Sequence, residues 1–124
     1  MKIEILQNIG KICTFSTAFG NGVGTVVGTK SNEPKIDVEI EIESVLQWGV
    51  DIVDTTSSSP RISFSDGITE INALVEFLHE DNLVSLRLGD SILSIEVDRL
   101  PEEICAGHWV LLKISDLQLF PTNI

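Results

Sequence analysis

From Lys35 to Val53 the chain reads KIDVEIEIESVLQWGVDIV, and a single alternation governs nearly all of it. Ile36, Val38, Ile40, Ile42, Leu46, Trp48, Val50 and Ile52 fall on even positions, while Asp37, Glu39, Glu41, Glu43, Gln47, Gly49 and Asp51 fall on odd ones. A period of two places the two sets on opposite faces of an extended strand, one oily and one lined with carboxylates. Same-face side chains stand about 7 Å apart on a strand, so adjacent carboxylates repel by about 0.6 kcal/mol in water before salt screening. Nineteen residues would reach over about 60 Å if straight, far beyond the usual strand of about five or six residues. The stretch must therefore bend or break. Ser44, polar within the apolar register, and Gly49 are the expected places.

The flanking segments read as short strands divided by turns. Lys2 to Gln7 and Lys11 to Thr17 surround the turn-prone Asn8 to Gly10. GNGVGTVVGT, glycine-rich from Gly20 to Gly28, invites a phosphate-loop reading. Its spacing misses the dinucleotide fingerprint, however, and Thr25, Val26 and Val27 favour a strand where a helix N-terminus would be needed. A hairpin with a bulge or bend is expected there. KSNEP, Lys30 to Pro34, is a turn, DTTSSSP, Asp54 to Pro60, a polar loop, and Arg61 to Ser65 a strand ending at the Asp66-Gly67 turn. ITEINALVEFLHED fits either period: Ile68, Ile71, Leu74, Val75 and Leu78 share a helical face, Ile71, Ala73, Val75 and Phe77 a strand face. Strand is favoured, because Val84 to Leu88, Gly89-Asp90 and Leu93 to Val97 then form a clear hairpin. Pro101 to Gly107 suggests a helical turn, His108 to Ile114 a strand, and Leu117 to Phe120 a last strand before Pro121. The expectation is an all-β or nearly all-β single domain spanning residues 1–124. It would be a small antiparallel barrel or sandwich of nine or ten short strands with at most one or two short helices.

At 124 residues with 43% hydrophobic side chains the chain can bury a core unaided. A net charge of −11 opposes nucleic acid and suits a cation or a basic protein partner. The start, MKIEILQNIG, lacks the pattern of a signal peptide, and nothing approaches the length of a membrane span, so a cytoplasmic protein is expected. Cys13 and Cys105 then read as reduced thiols, each a small buried hydrophobe.

LVSLRLGDSILSIEVD followed by AGHWVLLKISDLQLFP, within residues 68–121, resembles small OB-like barrels of the transport-associated kind. That resemblance implies a binding module without chemistry of its own and carries no functional residue across.

No catalytic constellation accompanies these strands. His79 and His108 are far apart in sequence without a close-spaced ligand motif, and the serines form no nucleophile elbow. No enzyme, metal or cofactor is expected. What remains is the acidic face. Asp37, Glu39, Glu41, Glu43 and Asp51 are the expected partner-binding residues, joined by Trp109, which shares its register with Leu111 and Lys113 and would serve as an interface anchor. The plain alternative is a solvated outer sheet face. In size, acidity and lack of chemistry the chain resembles bacterial immunity proteins. That resemblance implies an inhibitor that occludes the cleft of a basic toxin domain; an OB-like module for a small ligand or for regulation is the rival reading.

Overall fold

The computed structural model describes residues 1–28 and 33–122. Among these, the strands are β1 (Lys2–Ile9), β2 (Ile12–Thr17), β3 (Gly20–Val26), β4 (Lys35–Glu41), β5 (Ile52–Thr55), β6 (Arg61–Ser65), β7 (Ile68–Leu78), β8 (Leu83–Leu88), β9 (Ser91–Glu96), β10 (Trp109–Ile114) and β11 (Gln118–Pro121). The one helical piece is a 3-10 turn at Glu80–Asn82. The protein is all-β, and the ambiguous segment after Gly67 is strand. In β7, Thr69, Ile71, Ala73 and Val75 are all buried, a period of two that settles the competition with the helix. No helix of the described residues is long and apolar enough to cross a membrane.

Five strands close into a ring. β1 pairs antiparallel with β2 and β4, β2 with β3, and β4 with β11, while β11 runs parallel to β3. Ile3, Cys13, Phe15, Val26, Ile36, Val38 and Leu119 are buried. The glycine-rich run is not the expected bend but strand β3 itself. A Cβ on Gly22 would stand 2.7 Å from the Phe15 ring, and one on Gly24 would stand 3.1 Å from the Leu117 carbonyl oxygen. Glycine therefore lets β3 lie close to the large side chains that fill the ring.

Around β7 a second, curled sheet runs β6-β7-β10-β5, with β8 and then β9 added along the C-terminal half of β7. Within the β7–β8 pairing the register shifts between Val75 and Phe77, a β-bulge. The Asp66-Gly67 turn, with φ of 53° and 77°, is the left-handed pair that a two-residue hairpin between β6 and β7 demands. Two stitches join sheet to ring: Gly20 pairs with Ile62, and the buried Thr69 hydroxyl donates to the Val23 carbonyl (2.8 Å) and accepts its N–H (3.1 Å). The buried Asn72 amide donates to the Ser57 and Ser59 carbonyls, both at 2.8 Å, and so pins the polar loop onto β7.

The long alternation breaks, as expected, within 42–51. Leu46 bridges to Val97, with its N–H on the Glu96 carbonyl and its own carbonyl accepting from Asp98 N–H. The chain then turns at Gly49, φ 92°. Several residues depart from the expected face. Val50 is 57% exposed, Trp48 and Ile40 are only half-buried, and Asp51 leaves the ladder to accept the Gln47 N–H (2.8 Å). Two further expectations fail. Pro101 to Gly107 forms turns without a helix, and Cys105 is exposed, although Cys13 is buried; both thiols are free. The expected KSNEP turn lies mostly outside the described residues.

Candidate functional site

β4 outruns its neighbour. The Val38 N–H donates to the Met1 carbonyl and the Met1 ammonium donates to the Val38 carbonyl, both at 2.8 Å, which ends the pairing with β1. Along a strand, N–H and C=O point to alternate sides, so Ile40, two residues on, presents its backbone groups to the side that β1 has vacated. The opposite flank agrees. Leu117 and Leu119 carbonyls accept from Thr25 and Val27 of the β3 side, so Leu119 turns away from its partner Ile40 across β11 and β4.

Facing this edge is β9. Glu96 gives its carbonyl to Leu46, away from β8, and by the same alternation Ile92 and Ser94 direct their N–H and C=O toward β4. Past the ends of both strands, a single parallel bridge between Leu46 and Val97 ties the two segments together. The space between them is a cleft of about 610 Å³, lined by Met1, Val38 to Ile42, Leu88 and Asp90 to Ser94. Glu39, Glu41 and Asp90 are its charged side chains, with neither lysine nor arginine among the lining residues. Ile40, Ile92 and Leu93 supply apolar walls. Asp98 braces the tied end, its Oδ1 accepting the N–H of Trp48 (2.9 Å) and of Arg99 (2.8 Å). The Trp48 N–H, followed by the N–H and charge of Arg99, holds its carboxyl below the usual carboxylate range against some desolvation.

Of the expected site residues, Asp37, Glu39, Glu41 and Glu43 are exposed along one run of chain. Sheet neighbours divide them. Lys2 sits opposite Asp37 and Glu4 opposite Lys35, so this end of the ladder is matched by β1, whereas Glu39 faces Phe120 and Glu41 faces Gln118. Asp51 belongs to the turn, and half-buried Trp109 lies in β10, separated from β9 by β7 and β8. The structure brings neither to the cleft. Sequence reasoning missed Asp90, Ile92 and Ser94. The Gly89-Asp90 turn was visible as a hairpin, but only the pairing shows which of its edges stays open.

Elsewhere, Arg87 forks onto Glu76 through Nε (3.0 Å) and Nη2 (3.1 Å), which lowers the Glu76 carboxyl from its ordinary value. His79 Nε2 meets the Ser85 hydroxyl at 2.8 Å, and its ring packs on Phe77. The Cys-Ala-Gly-His spacing also went unremarked: it places Cys105 Sγ 3.3 Å from His108 Nδ1, which lies 3.3 Å from the Cys105 backbone N–H as well. Among the described residues, no three His, Cys, Asp or Glu side chains are grouped to hold a metal ion. No protein-family model, curated protein or solved structure matches the chain.

Proposed function

We propose that this chain is a non-enzymatic acidic binding protein of the inhibitor type, acting in the cytoplasm on a basic protein domain as immunity proteins act on toxins. The supporting observation is the cleft between β4 and β9, where Glu39, Glu41 and Asp90 surround apolar walls without a lysine or arginine. At a net charge of −11 such a surface accelerates encounter with a cationic partner, and apolar contacts set how long the complex lasts. The direct test uses a basic partner captured from the source cell. Glu39→Lys with Glu41→Lys should slow association about tenfold and flatten its salt dependence, with thermal stability unchanged or slightly raised. Binding that stays within about twofold would mean that this face is merely solvated, since surface changes away from an interface move energies by about 0.5 kcal/mol or less.

The closed ring of β1, β2, β3, β11 and β4 supports a second reading, an OB-like module for a small ligand or for regulation, because OB-like folds are five-stranded Greek-key barrels. The segment that carries that resemblance contributes only β11 to the ring; its other strands form the second sheet. Stabilisation by metabolites in a thermal-shift screen, without any basic protein partner, would favour this reading over the first.

A further inference from the structure

We propose that Cys105 is a nucleophilic thiol, with His108 as its base, that takes up neutral or cationic low-mass disulfides as mixed disulfides. The site lies in the loop between β9 and β10, outside the acidic cleft, and stands independently of the reading above.

Geometry supplies the first argument. Cys13 is 1% exposed within the ring, whereas Cys105 is exposed. Cys105 Sγ stands 3.3 Å from His108 Nδ1, and the Cys105 N–H donates to the same nitrogen (3.3 Å). Two donors converging on Nδ1 suit the ring tautomer that carries its proton on Nε2 and leaves Nδ1 as an acceptor. An accessible thiol beside such a nitrogen is the pairing that turns sulfur into a nucleophile.

The loop holds the pair in place. Ile104, next to the thiol, is 3% exposed, and its N–H donates to the Pro101 carbonyl (3.1 Å). The His108 N–H closes a turn onto the Cys105 carbonyl (3.1 Å). Gly107 N–H donates to the Val75 carbonyl (2.9 Å), and the His108 carbonyl accepts the Val75 N–H (2.8 Å). Thiol and base are thus anchored from both sides, one through a buried neighbour and the other through β7, which fixes their separation before any reagent arrives.

In the reaction, His108 Nδ1 takes the thiol proton as the Cys105 sulfur attacks one sulfur of the disulfide. The S–S bond breaks, its electron pair leaves on the other sulfur, and that thiolate takes the proton from the imidazolium. One thiol and one disulfide become one mixed disulfide and one thiol. While Nδ1 carries the proton, the Cys105 carbonyl, 3.1 Å away, is placed to accept its hydrogen bond.

Charge selects the reagent. Exposed Glu102 and Glu103 lie just before the thiol, no lysine or arginine occurs from 101 to 112, and the chain carries a net charge of −11. An anionic disulfide such as oxidised glutathione is repelled, and the dication cystamine is attracted.

The experiment treats the full chain at neutral pH with cystamine or oxidised glutathione, each rate being divided by that reagent's rate with N-acetylcysteine. Intact mass and peptide mapping should show one adduct, at Cys105, formed about tenfold faster with cystamine, a preference that shrinks as salt is added. Cys105→Ser should form none. His108→Ala should slow the cystamine reaction by about tenfold or more, and added imidazole should restore part of the rate. His108→Asn, whose amide can accept the Cys105 N–H but takes up no proton, should be as slow with its thermal midpoint within a few degrees of the parent's. Equal rates in the parent and the Asn variant would overturn the role of His108. A loss that imidazole does not restore would make His108 a support of the loop and overturn it as well. Equal normalised rates for the two disulfides would overturn the charge selection, and a first adduct at Cys13 would overturn the site itself.

Discussion

Around Asp37, β4 is hydrogen-bonded to Met1 and β1 on one side, and the Asp37 carbonyl accepts the Thr122 N–H on the other; in register on β1, Lys2 stands opposite Asp37 and Glu4 opposite Lys35. Three residues further along the same strand, Ile40 has β11 on one side and an open cleft on the other, and the neighbours of Glu39 and Glu41 are Phe120 and Gln118. The alternation is the same in both halves. Alternation therefore decides which face a side chain takes, while the neighbouring strand decides whether its charge is answered and whether its backbone is paired. A uniform acidic run becomes a structural half and a half left open for use.

The largest expected difference between these halves lies in their inward residues. Ile36, 6% exposed, should cost about 2–5 kcal/mol when replaced by alanine, through lost burial and the cavity left behind. Ile40 already borders the cleft half-buried, so Ile40→Ala should cost about 1–2 kcal/mol, because its surroundings are partly solvent and less cavity is created. Urea midpoints for the two variants measure the contrast directly. Equal losses would show that the cleft is closed in solution.

Charge gives a smaller contrast with a change of sign. Asp37→Lys sets lysine against Lys2 and should destabilise by about 0.2–1 kcal/mol, the scale of a cross-strand pair. Glu39→Lys together with Glu41→Lys relieves repulsion between acids whose cross-strand partners are Phe120 and Gln118, and should leave the unfolding midpoint unchanged or slightly higher. If both changes destabilise alike, the β1 lysine is not what separates the halves.

Much of this was readable in the sequence because it is local. Arg61 to Ser65 and the Asp66-Gly67 turn stand where their residues announce them, and the hairpin around Gly89-Asp90 follows from alternation on either side of a two-residue turn. What could not be read depends on distant pairings. Nothing in QLFP says that it will run parallel to β3 and antiparallel to β4, and that closure makes the ring. Nothing in the acidic run says that Lys2 will stand beside Asp37. Val50 was misplaced because a period of two cannot foresee a turn in which Gly49 takes φ of 92° and resets the register. The cleft was invisible for the same reason as the ring, since it needs β4 and β9, about fifty residues apart in sequence, to lie side by side.

The bridge between Leu46 and Val97 yields the smallest effect, and the one that depends on pH. Asp98 holds the tied end of the cleft through the N–H groups of Trp48 and Arg99, and its folded-state pKa lies below the ordinary value mainly because of the Trp48 bond. A carboxyl whose pKa is lowered on folding adds stability that is present above its unfolded value of about 3.9 and is lost as pH falls through the lower, folded value. Asp98→Asn keeps the shape and removes the charge. The stability curves of the parent and this variant should lie furthest apart near neutral pH and converge in acid, as read from urea midpoints between about pH 2 and pH 7. Amide exchange locates the change: at neutral pH Asp98→Asn should speed exchange at Leu46 and Trp48 and leave Val38, at the cleft's other end, unaltered. A stability gap independent of pH would mean that the side chain's shape, rather than its ionised carboxylate, holds the two strands together there.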